Sequence, residues 1–268
     1  MNDVNDFSQY AFYALTLTNT SVLKSLIESI KDIIPDINLH VTKNNLKILQ
    51  SDVGRTILAH LILDADKFDS YHCKEPLTIG INLQNLNKLI KSVSSNDMIA
   101  LYVKNDDKDN LYIKIIGPKK NYTISKLNLL DLHDETHGIP GQEFQQTIQI
   151  KTSDLQRTLR DMKNIGATEI QITAKENYLQ FYSKGDFAEK ETNFTGDVDG
   201  IYFSKSEKID NKNFHVSSTF SLESLALFSK CSTFSPDVII YLKPDYPLVL
   251  AFNVGSLGEL KLCLVHHH

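Results

Sequence analysis

Apolar residues recur at helical spacing in four stretches of this chain, and in each stretch basic residues stand on the opposite side. Near Ser21, Val22, Leu23, Leu26, Ile27, Ile30 and Ile34 form one stripe, with Lys24 and Lys31 across from it. From Leu83, the stripe is Leu83, Leu86, Leu89, Ile90 and Val93, and Lys88 and Lys91 are its polar counterpart. From Ser153, Leu155, Leu159 and Met162 face inward while Arg157, Arg160 and Lys163 share one strip. The last begins near Ser221, with Leu222, Leu225 and Phe228 apolar and Lys230 opposite. These predicted helices start about 60–70 residues apart, which reads as a helix-plus-strands unit repeated along the chain.

Between the helices the pattern shortens to alternation. Leu46–Ile48, Ile57–Leu63, Ile99–Val103 and Leu111–Ile116 are strand-like in the first half. Thr147–Ile150, Glu169–Thr173, Tyr178–Tyr182, Val238–Leu242, Leu248–Val254 and Leu260–Leu264 are their counterparts in the second. Each half is therefore expected to pack two helices on antiparallel strands, an α+β architecture. The stretch from Leu129 to Pro140 lacks sustained periodicity and ends in Gly-Ile-Pro, which marks it as the linker between halves.

Charge sharpens the meaning of the basic strips. With 28 Lys+Arg against 33 Asp+Glu the chain carries a net charge of −5, so its cations are segregated by face rather than general. A weakly acidic body with a basic strip suits contact with a polyanion that it must not grip tightly, since each neutralised phosphate adds salt-dependent affinity. Taken singly, a lysine-bearing helix face is an ordinary solvated surface, and Glu28, Asp161 and Glu223 fit that plainer reading.

Other chemistry is sparse. The three cysteines, Cys73, Cys231 and Cys263, match neither a disulfide framework nor a metal-ligand spacing, and point to a reducing compartment. Residues 1–11 read as a polar extension without a secretory pattern, and His266–His268 as a tag remnant. No apolar run is long enough for a membrane span. His133 and His137 stand four apart in a presumed loop, where two imidazoles are poorly aligned for a metal, so no metal or cofactor is expected. There is no phosphate-binding loop and no serine elbow, and a catalytic role is not expected. A base-reading DNA binder is disfavoured because no helix-turn-helix or zinc module is visible.

Several runs resemble one family. Asp66-Lys67-Phe68-Asp69-Ser70-Tyr71-His72-Cys73, Ile79-Gly80-Ile81-Asn82-Leu83 through Lys91, Asn96-Asp97, Gly138-Ile139-Pro140, Arg157 to Gly166, and Asp245-Tyr246-Pro247-Leu248-Val249 lie in order along the chain. Together they are similar to proliferating cell nuclear antigen, the eukaryotic DNA sliding clamp, from about Phe12 to Val265. The resemblance implies a two-domain clamp fold: an N-terminal domain over 12–128, a connector over 129–144 and a C-terminal domain over 145–265. Three subunits would close head-to-tail into a ring, with antiparallel sheets outside and four helices per chain lining a channel for duplex DNA. Lys24, Lys31, Lys88, Lys91, Arg157, Arg160 and Lys230 match the family's channel cations, and Lys163 joins them by spacing. Glu223 departs from a position that is commonly basic.

Two further surfaces follow from the resemblance. Ring closure would use edge segments Lys120–Asn128 and Phe187–Phe194, with Ser125 where relatives often have a large aromatic residue and with Phe187 and Phe194 expected to supply apolar contact instead. A partner-peptide pocket would comprise Ser51, Arg55, Thr56, Leu58, Ile139, Pro140, Phe144, Pro247, Cys263 and Val265. Ser51, Arg55 and Cys263 stand where Met, His and Tyr are usual, which is expected to reshape the pocket floor. The implied partners are sequence-independent double-stranded DNA, two further copies of the chain, a DNA polymerase, the clamp loader and other clamp-binding proteins. The alternative is a subunit of a heteromeric checkpoint-type clamp. The implied location is the nucleus, or the replication compartment of a large DNA virus.

Overall fold

The structure, a computed structural model, describes residues 11–133, 144, 146–196, 200–205 and 215–266. The chain divides into two compact units: Met1–Gln50, His60–Thr136 and Val254–Glu259 form the first, and Ser51–Ala59, His137–Asn253 and Leu260–His268 the second. The division falls within β3 (Asn45–Ser51), β4 (Ile57–Asp64), β17 (Leu248–Val254) and β18 (Gly258–Leu264).

In the first unit the elements are β1 (Ala11–Leu17), α1 (Thr20–Ile30), β2 (Asp36–Val41), β3 (Asn45–Ser51), β5 (Ser70–Cys73), β6 (Leu77–Asn82), α2 (Leu83–Ile90), β7 (Met98–Lys104), β8 (Asn110–Ile116) and β9 (Tyr122–Asn128). One antiparallel sheet runs β5-β1-β7-β8-β9, and β2 pairs with both β3 and β6. The helices form because their apolar faces have somewhere to go. Leu23, Leu26, Ile27 and Ile30 of α1 and Leu83 and Leu86 of α2 meet Leu15, Leu101 and Leu111 of the sheet in one apolar interior. Asn82 caps α2 by accepting the Asn85 N–H at 2.8 Å. The helix α1 ends at Ile30, so Ile34 continues the buried stripe from a turn rather than from the helix.

The second unit repeats the plan. Its elements are β10 (Gln146–Lys151), α3 (Thr152–Lys163), β11 (Glu169–Lys175), β12 (Tyr178–Lys184), β13 (Glu189–Thr195), β14 (Tyr202–Lys205), β15 (His215–Ser221), α4 (Leu222–Phe228), β16 (Asp237–Tyr241) and β17 (Leu248–Val254). One antiparallel sheet runs β13-β12-β11-β15, and a second antiparallel series runs β14-β10-β16-β17. Leu155, Leu159 and Met162 of α3 and Leu222, Leu225 and Phe228 of α4 are buried, as are Ile170, Ile172, Phe181 and Phe220 of the sheet. Lys230 lies in the short 3-10 turn Ser229–Thr233 that follows α4, beyond the helix proper.

The chain leaving β9 is fastened to the first unit. The Leu130 N–H donates to the Gly80 carbonyl at 2.8 Å, and the buried Asn38 amide donates to the His133 carbonyl at 3.1 Å. Glycine is required at position 80 by this approach, because a Cβ there would lie 2.2 Å from the Leu130 carbonyl oxygen.

Candidate nucleic-acid and partner interfaces

The cations expected to contact DNA fall into two groups. On α3, Arg157, Arg160 and Lys163 are all exposed, on the side away from buried Leu155, Leu159 and Met162. Arg157 pairs with Asp154 one turn earlier at 3.0 Å, a solvent-exposed pair that a phosphate could compete with. Arg160 and Lys163 form no ion pair among the described residues. The flank of this helix is held by a contact to β13: Lys190 donates to Asp161 at 3.0 Å, and that ammonium draws the Asp161 carboxyl below its ordinary pKa.

The first unit is different. Lys88 and Lys91 are exposed at the end of α2, Lys91 as its C-terminal cap residue. Lys24 is half-buried, and its ammonium donates to the backbone carbonyls of Lys91 at 2.6 Å and Val93 at 3.0 Å. That places a cation against the carbonyls that the end of α2 leaves unsatisfied. Thr20 adds a bond from its hydroxyl to the Ser94 carbonyl at 2.9 Å. Lys31 sits just past α1 with its side chain 19% exposed, donating to Asp32 at 3.1 Å. Spacing had assigned Lys24 and Lys31 the same role as the α3 cations, but their charges are turned inward to the protein. Glu223 on α4 and Lys230 in the turn after it are both exposed.

The residues of the expected peptide pocket that the structure describes all belong to the second unit. Ser51, Leu58, Phe144 and Pro247 are half-buried, Arg55, Thr56 and Val265 exposed, and Cys263 buried. A turn organised by Asp52 presents the first of these: its carboxylate accepts the N–H groups of Thr56 and Ile57 at 2.8 and 2.7 Å and the Thr56 hydroxyl at 3.1 Å. Arg55 sits in this turn with φ of 54°, a left-handed conformation that costs a non-glycine residue energy and that the Asp52 bonds hold in place. The Thr56 carbonyl accepts the Val265 N–H at 2.9 Å, which brings the turn beside the end of β18. Ile139 and Pro140 lie outside the described residues, as does His137.

Two residues of this region were missed by sequence reasoning. The Phe144 ring lies 5.1 Å from that of Tyr241 and 5.7 Å, edge-on, from that of Tyr246. Tyr246 stands inside a run that the sequence had singled out, yet nothing in its spacing announces the ring cluster. Burial pushes the Cys263 thiol up to about 11, so this residue offers a small neutral group where its neighbours are aromatic. Burial likewise raises the Tyr246 phenol, with Cys263 adding to the shift.

The expected edge segments do end their sheets: β9 is the last strand of one and β13 of the other. Phe187, in the turn before β13, is 78% exposed. Phe194 is not available for an interface, in contrast to the expectation, because it is buried with its ring edge-on to Phe181 at 5.8 Å. Its place on the core-facing side of β13 follows from strand alternation, which puts Lys190, Thr192 and Phe194 on one face. The exposed apolar residues on β9 are instead Tyr122, 59% exposed, and Ile124, 51% exposed.

Family models of the proliferating cell nuclear antigen N-terminal and C-terminal domains match residues 12–137 and 138–267. The chain belongs to the proliferating cell nuclear antigen family. A relative from Paramecium bursaria Chlorella virus 1, described as a probable DNA polymerase sliding clamp, is 32% identical over 266 residues, spanning 97% of this chain and 98% of the relative. The crystal structure of proliferating cellular nuclear antigen from Entamoeba histolytica superposes with a TM-score of 0.86 at 23% identity, covering 96% of this chain and all of that one. The fold is thus the α+β clamp fold of the family, with two helices and antiparallel sheets in each unit.

Proposed function

We infer that this chain is a DNA sliding clamp, a processivity factor that encircles duplex DNA and tethers a polymerase and other replication and repair proteins to it. The observation that supports this reading most directly is the exposed cation strip of Arg157, Arg160 and Lys163 on α3, joined by Lys88 and Lys91 on α2, in a family member whose net charge is −5. Phosphate contacts of this kind hold position without reading sequence, so a ring can retain DNA topologically and still slide. Its role is to tether rather than to catalyse. Three copies would close the ring by pairing β9 of each with β13 of the next, covering two of the sheet edges of every subunit. Partner peptides would bind in the second unit, against Leu58, Phe144, Pro247 and the connector residues Ile139 and Pro140. The workplace of such a clamp is the compartment where DNA is replicated, nuclear or viral.

The decisive experiment is retention on DNA. Loaded onto nicked circular duplex, the protein is expected to stay bound through a high-salt wash and to be lost when the circle is cut once. Equal retention on circular and linear DNA would reduce the protein to an ordinary DNA binder. For the peptide region, Phe144→Asp is expected to abolish binding of a polymerase-derived peptide in titration calorimetry while leaving circular-DNA retention intact, because a charged carboxylate would replace the apolar ring that packs against Tyr241 and Tyr246. Undiminished peptide binding would move the site elsewhere.

A further inference from the structure

We propose that the apolar anchor holding one copy of this chain to the next is the outward face of β9, where Tyr122 and Ile124 seat against Phe187 of the partner subunit. The proposal rests on the ring reading above and adds to it which residues, and which face of the strand, carry the joint.

Alternation along β9 assigns the faces. Leu127 is buried, so Ser125 shares its core-facing side, whereas Tyr122, Ile124 and Lys126 point the other way. Lys114 of β8 lies on that outward side with its ammonium 4.7 Å above the Tyr122 ring, and Lys126 is within 5.7 Å of the Tyr112 ring. The large apolar side chains of the exposed part of this strand therefore lie on the face opposite Ser125.

Single exposed apolar residues are ordinary, but these are not single. Tyr122 and Ile124 are neighbours on one face of a strand whose outer edge is free, and Phe187 is the most exposed aromatic side chain among the described residues. It stands at the mouth of β13, the end strand of its sheet. The cation above Tyr122 already restricts that ring, which lowers the entropy lost on docking.

Charge selects the pairing. The turn entering β9 carries exposed Lys119 and Lys120; Lys126 on the strand is already paired with Asp107 at 2.8 Å, so the turn lysines carry the contrast. β13 presents exposed Glu189 and Glu191 on the face opposite Phe194. A β9–β13 joint sets these opposite signs against each other, whereas β9 against β9 would oppose lysines to lysines. Glu189 already pairs with Lys184 at 3.1 Å, but both groups are more than half exposed and the pair is open to exchange.

The test is light scattering and sedimentation of the full chain over a dilution series. The wild-type chain is expected as a trimer, and the double variant Tyr122→Ser/Ile124→Ser to dissociate at a concentration about tenfold or more higher. Phe187→Ser should produce a shift of the same order, and the triple variant less than the sum, as residues in contact do. Ser125→Asp, on the other face, should shift dissociation less than threefold. Because all three replaced apolar side chains are solvent-exposed, the circular dichroism of the variants should match wild type. A wild-type chain that is monomeric at every concentration removes the ring reading itself. A wild-type trimer whose double variant dissociates within twofold of it, or is perturbed less than Ser125→Asp, overturns this inference alone.

Discussion

The helices α1 and α3 occupy equivalent places in the two units and carry the same pattern, an apolar stripe with cations across from it, yet their charges are used differently. On α1, Lys24 closes on two backbone carbonyls at the end of α2, and Lys31 on Asp32. On α3, Arg160 and Lys163 extend from the helix with no ion pair among the described residues, while Arg157 makes one exposed pair. The carbonyls that end α2 lie within reach of Lys24, and an unsatisfied helix end is a strong local acceptor. A cation on a helix face is thus available to a ligand only if no helix end or carboxylate lies nearer. The cations left exposed are Lys88 and Lys91 in the first unit and Arg157, Arg160 and Lys163 of α3 in the second.

The largest expected effect breaks the α3 side of that comparison. Arg157→Glu/Arg160→Glu/Lys163→Glu should weaken salt-sensitive DNA binding by about a hundredfold or more at low salt and flatten the slope of log affinity against log salt, since each lost phosphate contact removes roughly 0.9 from it. An unchanged slope would mean that α3 faces no phosphate.

Next comes the α1 side, where Lys24→Met should act on stability rather than on DNA. Loss of a charged donor to two carbonyls is worth about 1–2 kcal/mol, expected as a fall of roughly 2–4 °C in melting temperature. Faster amide exchange should appear around Ser94, whose carbonyl and N–H lie in the same network. The salt slope of DNA binding should stay where it was. A slope reduced as much as by loss of one α3 cation would return Lys24 to the DNA-contacting set.

A smaller change would narrow the gap between α4 and α3. Glu223 is exposed near the start of α4, and Glu223→Lys should tighten DNA binding by about threefold to fivefold with a slightly steeper salt slope. No gain would place α4 outside the DNA contact.

The smallest effect concerns how α3 is braced. Lys190 holds the Asp161 carboxyl below its ordinary pKa, so this pair stabilises the fold above the unfolded carboxyl value of about 3.9 and is lost as pH falls through the lower folded value. Between pH 5 and 3, Asp161→Asn should therefore lose less melting temperature than wild type, which gives up the ion pair. Identical acid profiles would show that the bridge adds nothing.

Helical periodicity located all four helices, and short apolar segments located ten strands; some alternate, as Ile57–Asp64 does, while Ile99–Val103 is buried throughout. β1 escaped notice although it too is apolar. Ala11–Leu17 is buried at every position, so its pattern is a continuous run without alternation. β6 was hidden by Gly80, whose role depends on a carbonyl from residue 130. β15 reads His-Val-Ser-Ser-Thr-Phe-Ser, too polar to stand out until β11 pairs with it.

By itself the sequence determined the family, the repeated α+β plan and the segregation of cations onto helix faces, since these depend on periodicity and on matches spread along the whole chain. Tertiary structure alone decided which of those cations remain available to a ligand. It also decided that Phe194 belongs to the core while Tyr122 and Ile124 stay exposed, and that Phe144 meets Tyr241 and Tyr246. Each of these outcomes depends on what lies a few ångströms away from residues distant in sequence. Lys24 and Val93 are brought together by the packing of α1 beside α2, and no spacing within either segment encodes that distance.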